Sequence, residues 1–133
     1  MMSDLEEAQK FFYTDKYARE ATGIDLIEVG DKTAKCSLKL QDKHRNGYGN
    51  VMGGAIFTMA DFTFAVASNF RQTPCVSGTS QVTFLSSSKG TTLFSEAHCI
   101  KNGKTTCFYK VEITDDLGAK VANVTFYGIK LNK

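Results

Sequence analysis

The chain has 133 residues, 42% of them hydrophobic, which fits one domain with a substantial core. Sixteen basic and fourteen acidic residues leave a net charge of +2, and the cations are scattered rather than striped, which argues against a nucleic-acid partner. No stretch reaches the ~18 apolar residues of a membrane span, and the acidic start Met1-Met-Ser-Asp-Leu-Glu-Glu has no apolar signal core, so the expected location is cytoplasmic with no membrane association.

Ser3 or Asp4 can cap a first helix whose apolar side is Leu5, Ala8, Phe11 and Phe12. A second helical piece runs from Thr14 to Ala21 and stops at Gly23. Ile24 to Val29 reads as a strand, Gly30-Asp-Lys as a turn, and Ala34, Cys36, Leu38 and Leu40 alternate behind it, which makes a hairpin. Residues 41–52 are polar and glycine-rich and read as a loop. From Ala55 to Phe70 alternation fails and the run is too long for a strand, so it reads as a helix apolar on most sides and therefore central.

Pro74 marks the connection that follows. Val76 to Leu85, Thr92 to Ile100, Thr105 to Thr114 and Lys120 to Ile129 then read as strands of an antiparallel meander. Asn102-Gly103 and Asp115-Asp-Leu-Gly118 supply turns between them. The class is α+β, with one sheet packed on one long helix, and residues 1–133 form a single domain. Large residues on both faces of the last strand predict that a face or an edge of the sheet meets a second subunit.

The four cysteines form no CxxC pair, and the two histidines complete no metal set. Core thiols in a reducing compartment are the expectation.

The chemistry-bearing segment is Asn46 to Asp61, with Gly53 and Gly54 at the mouth of the apolar helix and Asp61 inside it. A carboxylate among apolar neighbours is costly, and its pKa is expected to rise. The first N–H groups of a helix are unpaired and lie at its positive end, and Gly53 has no side chain to keep a ligand carbonyl away. Attack on a carbonyl needs such a donor for the oxyanion and a nucleophile or base across the carbonyl. Asp61 lies about 12 Å along the helix from Gly53, too far for one carbonyl to touch both. Two antiparallel helices from two subunits would join them, so the pattern asks for a symmetric oligomer with equivalent sites.

Asn46-Gly47, then Met52-Gly-Gly-Ala55, then Phe57-Thr-Met-Ala-Asp61 resembles the hotdog-fold acyl-CoA thioesterases of the PaaI-like branch. Val82-Thr-Phe-Leu85, Val111-Glu-Ile-Thr-Asp115 and Gly118-Ala-Lys-Val-Ala122 extend the resemblance over roughly residues 14–129. It implies an antiparallel sheet wrapped around one long central helix, and hydrolysis of an acyl-CoA thioester, aryl or medium-chain, to the acid and coenzyme A. It implies that Asp61 attacks the carbonyl or activates water, that the Gly53 N–H polarises the carbonyl, that Asn46 helps place the nucleophile, and that Ser77, with Thr79 as neighbour, assists. No metal or redox cofactor is implied, since coenzyme A is part of the substrate. The implied assembly is a homodimer or homotetramer with sites at the subunit interface.

Two positions depart from the family pattern. Met52 stands where the family usually has His, and Ser86-Ser87 where relatives commonly have Arg-Pro. A non-catalytic hotdog protein that binds an acyl-CoA-like ligand is the alternative reading, and Met52 is its main support. The remaining candidates are His44 near the loop, Tyr48, Phe57, Phe62 and Phe64 as acyl-pocket walls, and Lys89, Lys101 and Lys104 for the phosphates of coenzyme A.

Overall fold

The computed structural model describes residues 1–131. Helix α1 spans Asp4–Phe12 and begins with a reciprocal cap: the Glu6 N–H donates to Ser3 Oγ at 3.1 Å and the Ser3 N–H to Glu6 Oε1 at 3.0 Å. Ala8 and Phe12 are buried, whereas Phe11 faces solvent and is not part of the apolar side. The second helical piece is shorter and later than its pattern implies: it is a wide π-type turn over Tyr17–Thr22, closed by Gly23 at φ +90°.

Strands β1 (Asp25–Gly30) and β2 (Thr33–Lys39) form the expected hairpin. Helix α2 runs Gly53–Asn69, so both glycines lie inside its first turn. Strands β3 (Cys75–Phe84), β4 (Thr92–Asn102), β5 (Thr106–Asp115) and β6 (Lys120–Lys130) complete one antiparallel sheet in the order β1-β2-β4-β5-β6-β3.

That order corrects one expectation. Only β4, β5 and β6 are a meander; β3 leaves its sequence neighbour β4 and pairs with β6 at the far edge. The cause is the link between β3 and β4, which is tied down beside the turn after β5. Asp115 Oδ2 accepts from Ser88 Oγ at 2.8 Å, and Asp116 Oδ1 accepts from the N–H of Thr91 at 2.9 Å and of Thr92 at 3.2 Å. Alternation reports which face a residue occupies and carries no information about which strand lies beside it.

The faces are as the alternation predicts. Leu93, Ser95 and Ala97 of β4, Tyr109, Val111 and Ile113 of β5, and Ala122, Val124 and Phe126 of β6 are buried against α2. Phe64 of the helix stacks on Phe126 with centroids 4.4 Å apart and meets Tyr109 edge-on at 5.4 Å. The buried Thr63 hydroxyl donates to the Met59 carbonyl and is 2.5 Å from Ser95 Oγ, so this buried polar bridge between helix and sheet is satisfied.

The cysteines are free thiols, and all but Cys99 are buried. Burial pushes the Cys36 thiol up to about 12, against the opposing hydrogen bonds of Thr63 and Ser95. Cys75 and Cys107 bring their sulfurs to 3.3 Å over Gly128. They sit on strands separated by β6 and are free thiols.

Candidate functional site

The loop before α2 is built to present the helix start. The Met52 N–H donates to the His44 carbonyl at 2.7 Å, and the Met52 carbonyl accepts from Ala55 and Ile56. His44 is buried, with both ring nitrogens engaged. Its Nδ1 accepts from the Gln41 N–H at 3.0 Å, and its Nε2 lies 2.7 Å from the Thr22 carbonyl, which assigns the proton to Nε2. It pins the loop to the Tyr17–Thr22 turn. Among the described residues, no acceptor is bonded to the N–H of Gly53 or Gly54, which leaves two donors free at the positive end of the helix.

Asn46 shapes the same loop. Its Oδ1 accepts from the N–H of Tyr48 at 2.9 Å and of Asn50 at 3.1 Å, and its amide nitrogen stays free. Tyr48 at the loop tip is 94% exposed.

Asp61 differs from its expectation of burial inside the helix. It lies on an exposed stripe of α2, in line with Gly54 and Thr58, while Phe62, Thr63 and Phe64 beside it are buried. Among the described residues it has no ion pair; Arg71 is instead held by Asp4 and Glu7 at 3.1 Å each. Partial desolvation by the surrounding protein, and then the charge of Asp15, raise its pKa above the ordinary aspartate value. Asp15 belongs to the connection after α1, and nothing in the sequence pattern places it near the central helix.

Ser77 lies on β3 opposite Gly128 and shares the helix-facing side with Cys75. A register shift between Ser77 and Thr79 turns Thr79 outward, opposite Tyr127, and puts Ser80 opposite the buried Phe126. Thr79 therefore faces away from the helix, and Ser80, absent from the sequence reading, faces it.

Strand β3 runs alongside α2 in the opposite direction. At its start, the Cys75 N–H donates to Asn69 Oδ1 at 2.8 Å, at the end of the helix. At its finish, the Phe84 ring lies against Gly53, at the helix start. Ser77 and Gly53 are thus on the order of 20 Å apart within one chain. Gly53 and Asn46 gather at one end of the helix, Ser77 at the other, with Asp61 between.

A groove of about 360 Å³ opens at the helix start, lined among others by Gly53, Ile56, Phe84, Leu85 and Ser87. A hollow of about 350 Å³ on the outer sheet face is ringed by Glu28, Lys35, Glu96 and Glu112. It carries the ion pairs of Lys35 with Glu96 at 3.2 Å and Glu28 at 3.6 Å, and of His98 with Glu96 at 3.1 Å, and it lies on the side of the sheet away from the helix. Phe62 and Phe64 are 3% and 2% exposed and belong to the core, so they are not acyl-pocket walls. Among the described residues, no group of three or more His, Cys, Asp or Glu is placed to hold a metal ion.

A model of the thioesterase superfamily matches residues 48–122, from the loop tip to the start of β6. The chain belongs to the thioesterase superfamily. It is 29% identical over 125 residues to acyl-coenzyme A thioesterase 13 of Mus musculus, covering 91% of this chain and 89% of that one. It is 30% identical over 111 residues to acyl-coenzyme A thioesterase PaaI of Escherichia coli strain K12, covering 83% and 79%. The solved structure of the E. coli PaaI protein, from the phenylacetic acid degradation operon, superposes with a TM-score of 0.89 at 25% identity over 97% of this chain and 94% of that one. A Streptococcus mutans protein solved bound to acetyl CoA superposes with a TM-score of 0.78 at 29% identity over 83% and 90%. The sheet wrapped on one helix is therefore the hotdog fold of this superfamily, in its PaaI-like form.

Proposed function

We propose that this thioesterase-superfamily chain hydrolyses acyl-CoA thioesters as a homodimer whose two sites each take residues from both subunits. The observation that carries the reading is the separation of Gly53 and Ser77 to opposite ends of α2, with the Asp61 carboxyl between them. One chain holds the parts of a site without assembling them. A two-fold axis at the β3 edge would lay two helices antiparallel and bring one subunit's Gly53 to the other's Asp61 and Ser77.

The edge itself supports this. Strand β3 contains no charged residue and no proline, and its burial alternates on neither face: Cys75 is its one buried residue. An open, uncharged edge strand invites pairing unless something covers it. A second copy of β3 is the occupant that also completes the site. Exposed Phe94, Ile100, Phe108 and Ile129 support further association, into a homotetramer.

In the proposed mechanism the acyl carbonyl oxygen accepts a hydrogen bond from the free Gly53 N–H of one subunit. The Asp61 carboxylate of the other attacks the carbonyl carbon or takes a proton from the attacking water. The tetrahedral oxyanion is stabilised by the Gly53 N–H and the helix start, and its collapse breaks the C–S bond. With Asp61 as base, the water oxygen stays on the acyl carbon and the proton taken by Asp61 passes to the leaving thiolate of coenzyme A; with Asp61 as nucleophile, the thiolate takes a proton from solvent and water then cleaves the mixed anhydride, freeing the acid and the Asp61 carboxylate. Asn46, through its free amide nitrogen, and Ser77 orient the water or the carboxylate. The raised pKa makes Asp61 a better base than an ordinary aspartate. Four free cysteines support a reducing location, the cytoplasm.

The relatives support the substrate class: two are named acyl-coenzyme A thioesterases, and one structural neighbour was solved with acetyl CoA. The test is thiol release from a panel of phenylacetyl, hydroxybenzoyl and straight-chain acyl-CoAs, with D61N beside the wild type. Turnover that D61N abolishes is the expected result. Tight binding with no thiol release from any member would overturn hydrolysis and favour the ligand-holding alternative, for which the exposed Met52 at the helix cap speaks.

A further inference from the structure

Phe84 is an aromatic residue that the fold does not use. It is the last residue of β3, is 56% exposed, and among the described residues pairs with no other ring. Its β-ladder partner is the buried Ala122, so the side chain points to the helix side of the sheet. There the tip of its ring lies against the start of α2: a Cβ built on Gly53 would be 3.0 Å from its Cζ and within 3.7 Å of its Cε atoms. The glycine that frees the donor therefore also makes room for the ring. Replacing Gly53 by any larger residue would push Phe84 away.

The groove beside this contact has a distinct chemistry. Val51, Ile56, Phe84, Leu85 and Val121 line it together with Asn50, Gly53 and the serines 86–88, and among the described residues no Lys, Arg or His does. Its serine hydroxyls are largely spent: Ser86 Oγ donates to the Lys120 carbonyl at 2.7 Å, and Ser88 Oγ to Asp115 Oδ2 at 2.8 Å. A groove with apolar walls and few free donors suits a hydrocarbon arm. It does not suit the two amides of the pantetheine arm or a phosphate.

On the proposed hydrolytic reading, we infer that Phe84 is the specificity-determining residue for the acyl group. Its ring forms the wall against which the acyl carbons next to the carbonyl pack while the carbonyl oxygen is held by the Gly53 N–H. An aromatic wall at that point favours aryl acyl groups over straight chains of similar size, because ring–ring contact adds to simple burial.

The experiment compares wild type, F84A and F84L on phenylacetyl-CoA and hexanoyl-CoA, with free coenzyme A as competitive inhibitor. F84L keeps an apolar side chain and removes only the ring. Both variants are expected to lose about tenfold in kcat/KM for the aryl thioester relative to hexanoyl-CoA, with the inhibition constant of coenzyme A unchanged. Equal losses on both substrates, or weaker inhibition by coenzyme A in the variants, would overturn the inference and assign the groove to the thiol arm. Binding of the matching non-hydrolysable thioethers, measured by calorimetry, separates the two readings. Selective loss of the aryl thioether in F84A upholds the role of Phe84 even if no thioester is turned over, and unselective binding overturns it even if hydrolysis is intact. A matching melting temperature for F84A and wild type excludes misfolding as the cause.

Discussion

Asn69 and Cys75 bind each other twice: the Cys75 N–H donates to Asn69 Oδ1 at 2.8 Å, and Asn69 Nδ2 donates to the Cys75 carbonyl at 3.2 Å. The side chain of the last helical residue thus acts as a ladder partner for the first residue of β3. This amide fixes the direction and height of the edge strand against α2, and with it the placement of Ser77, Ser80 and Phe84.

Asn69→Ala should therefore cost stability and assembly together. Two hydrogen bonds in a half-buried setting are lost, and the carbonyl and N–H of Cys75 are left without their partner, a loss of about 1–3 kcal/mol. Urea denaturation would read the stability, and analytical ultracentrifugation the dimer. A variant as stable and as dimeric as wild type would show that β3 is positioned by its ladder with β6 alone.

Asp61→Asn is expected to abolish turnover and to raise stability. The carboxyl has a raised folded-state pKa, so its ionised form is disfavoured in the fold. Stability from this group falls as pH rises from the ordinary aspartate value through the raised one, and the penalty is fully present at neutral pH. The neutral amide removes it. The melting temperature of D61N at pH 7 should exceed that of wild type, with the difference vanishing in acid below both values; a lower melting temperature at pH 7 would contradict the desolvation.

The same shift sets the acid limb of the pH profile. If ionised Asp61 is the base or nucleophile, kcat/KM falls as the carboxyl is protonated, and the apparent pKa of that fall lies above the 3.8 of an unperturbed aspartate. A profile flat down to the ordinary aspartate range would remove Asp61 from the reaction.

Gly128 should tolerate no side chain while both thiols are present. A Cβ there would stand 2.6 Å from Cys75 Sγ and 2.6 Å from Cys107 Sγ, with Phe64 Cζ at 3.2 Å. G128A is expected to lose about 1–3 kcal/mol through overpacking. Adding C107A opens space on one side and should recover part of it, so the double variant in a denaturation series should be less destabilised than the sum of the singles. Strict additivity would show that the sulfurs move aside freely.

Asp115 is a carboxylate used for architecture. Its Oδ1 accepts from the N–H of Leu117 at 3.0 Å and of Ala119 at 2.8 Å, and its Oδ2 from Ser88 Oγ. The Ala119 N–H and the Ser88 hydroxyl foremost hold its pKa below the usual aspartate value. A lowered folded-state pKa contributes stability that is present above the ordinary aspartate value and lost as pH falls through the lowered one. D115A should lower the melting temperature at neutral pH and flatten its acid dependence below pH ~4. An unchanged acid dependence would show that other carboxylates govern it.

The sequence by itself determined the elements and their faces. Alternation in β4, β5 and β6 and the long apolar run of α2 follow from repeats of about 2 and 3.6 residues, which are local properties. The same locality made the helix start at Gly53 and the Asp61 helix position legible, because spacing along one helix fixes both. Only the tertiary structure decided that β3 lies at the far edge beside β6, since strand order depends on where Asp115 and Asp116 tie down a link that has no pattern of its own. It also decided that Asp61 is exposed beside Asp15, that Ser80 and not Thr79 faces the helix, and that Phe84 covers Gly53. Each of these joins residues far apart in the chain or turns on a one-residue register shift. No local period encodes such relations, because they are set by how the edge strand packs on the helix.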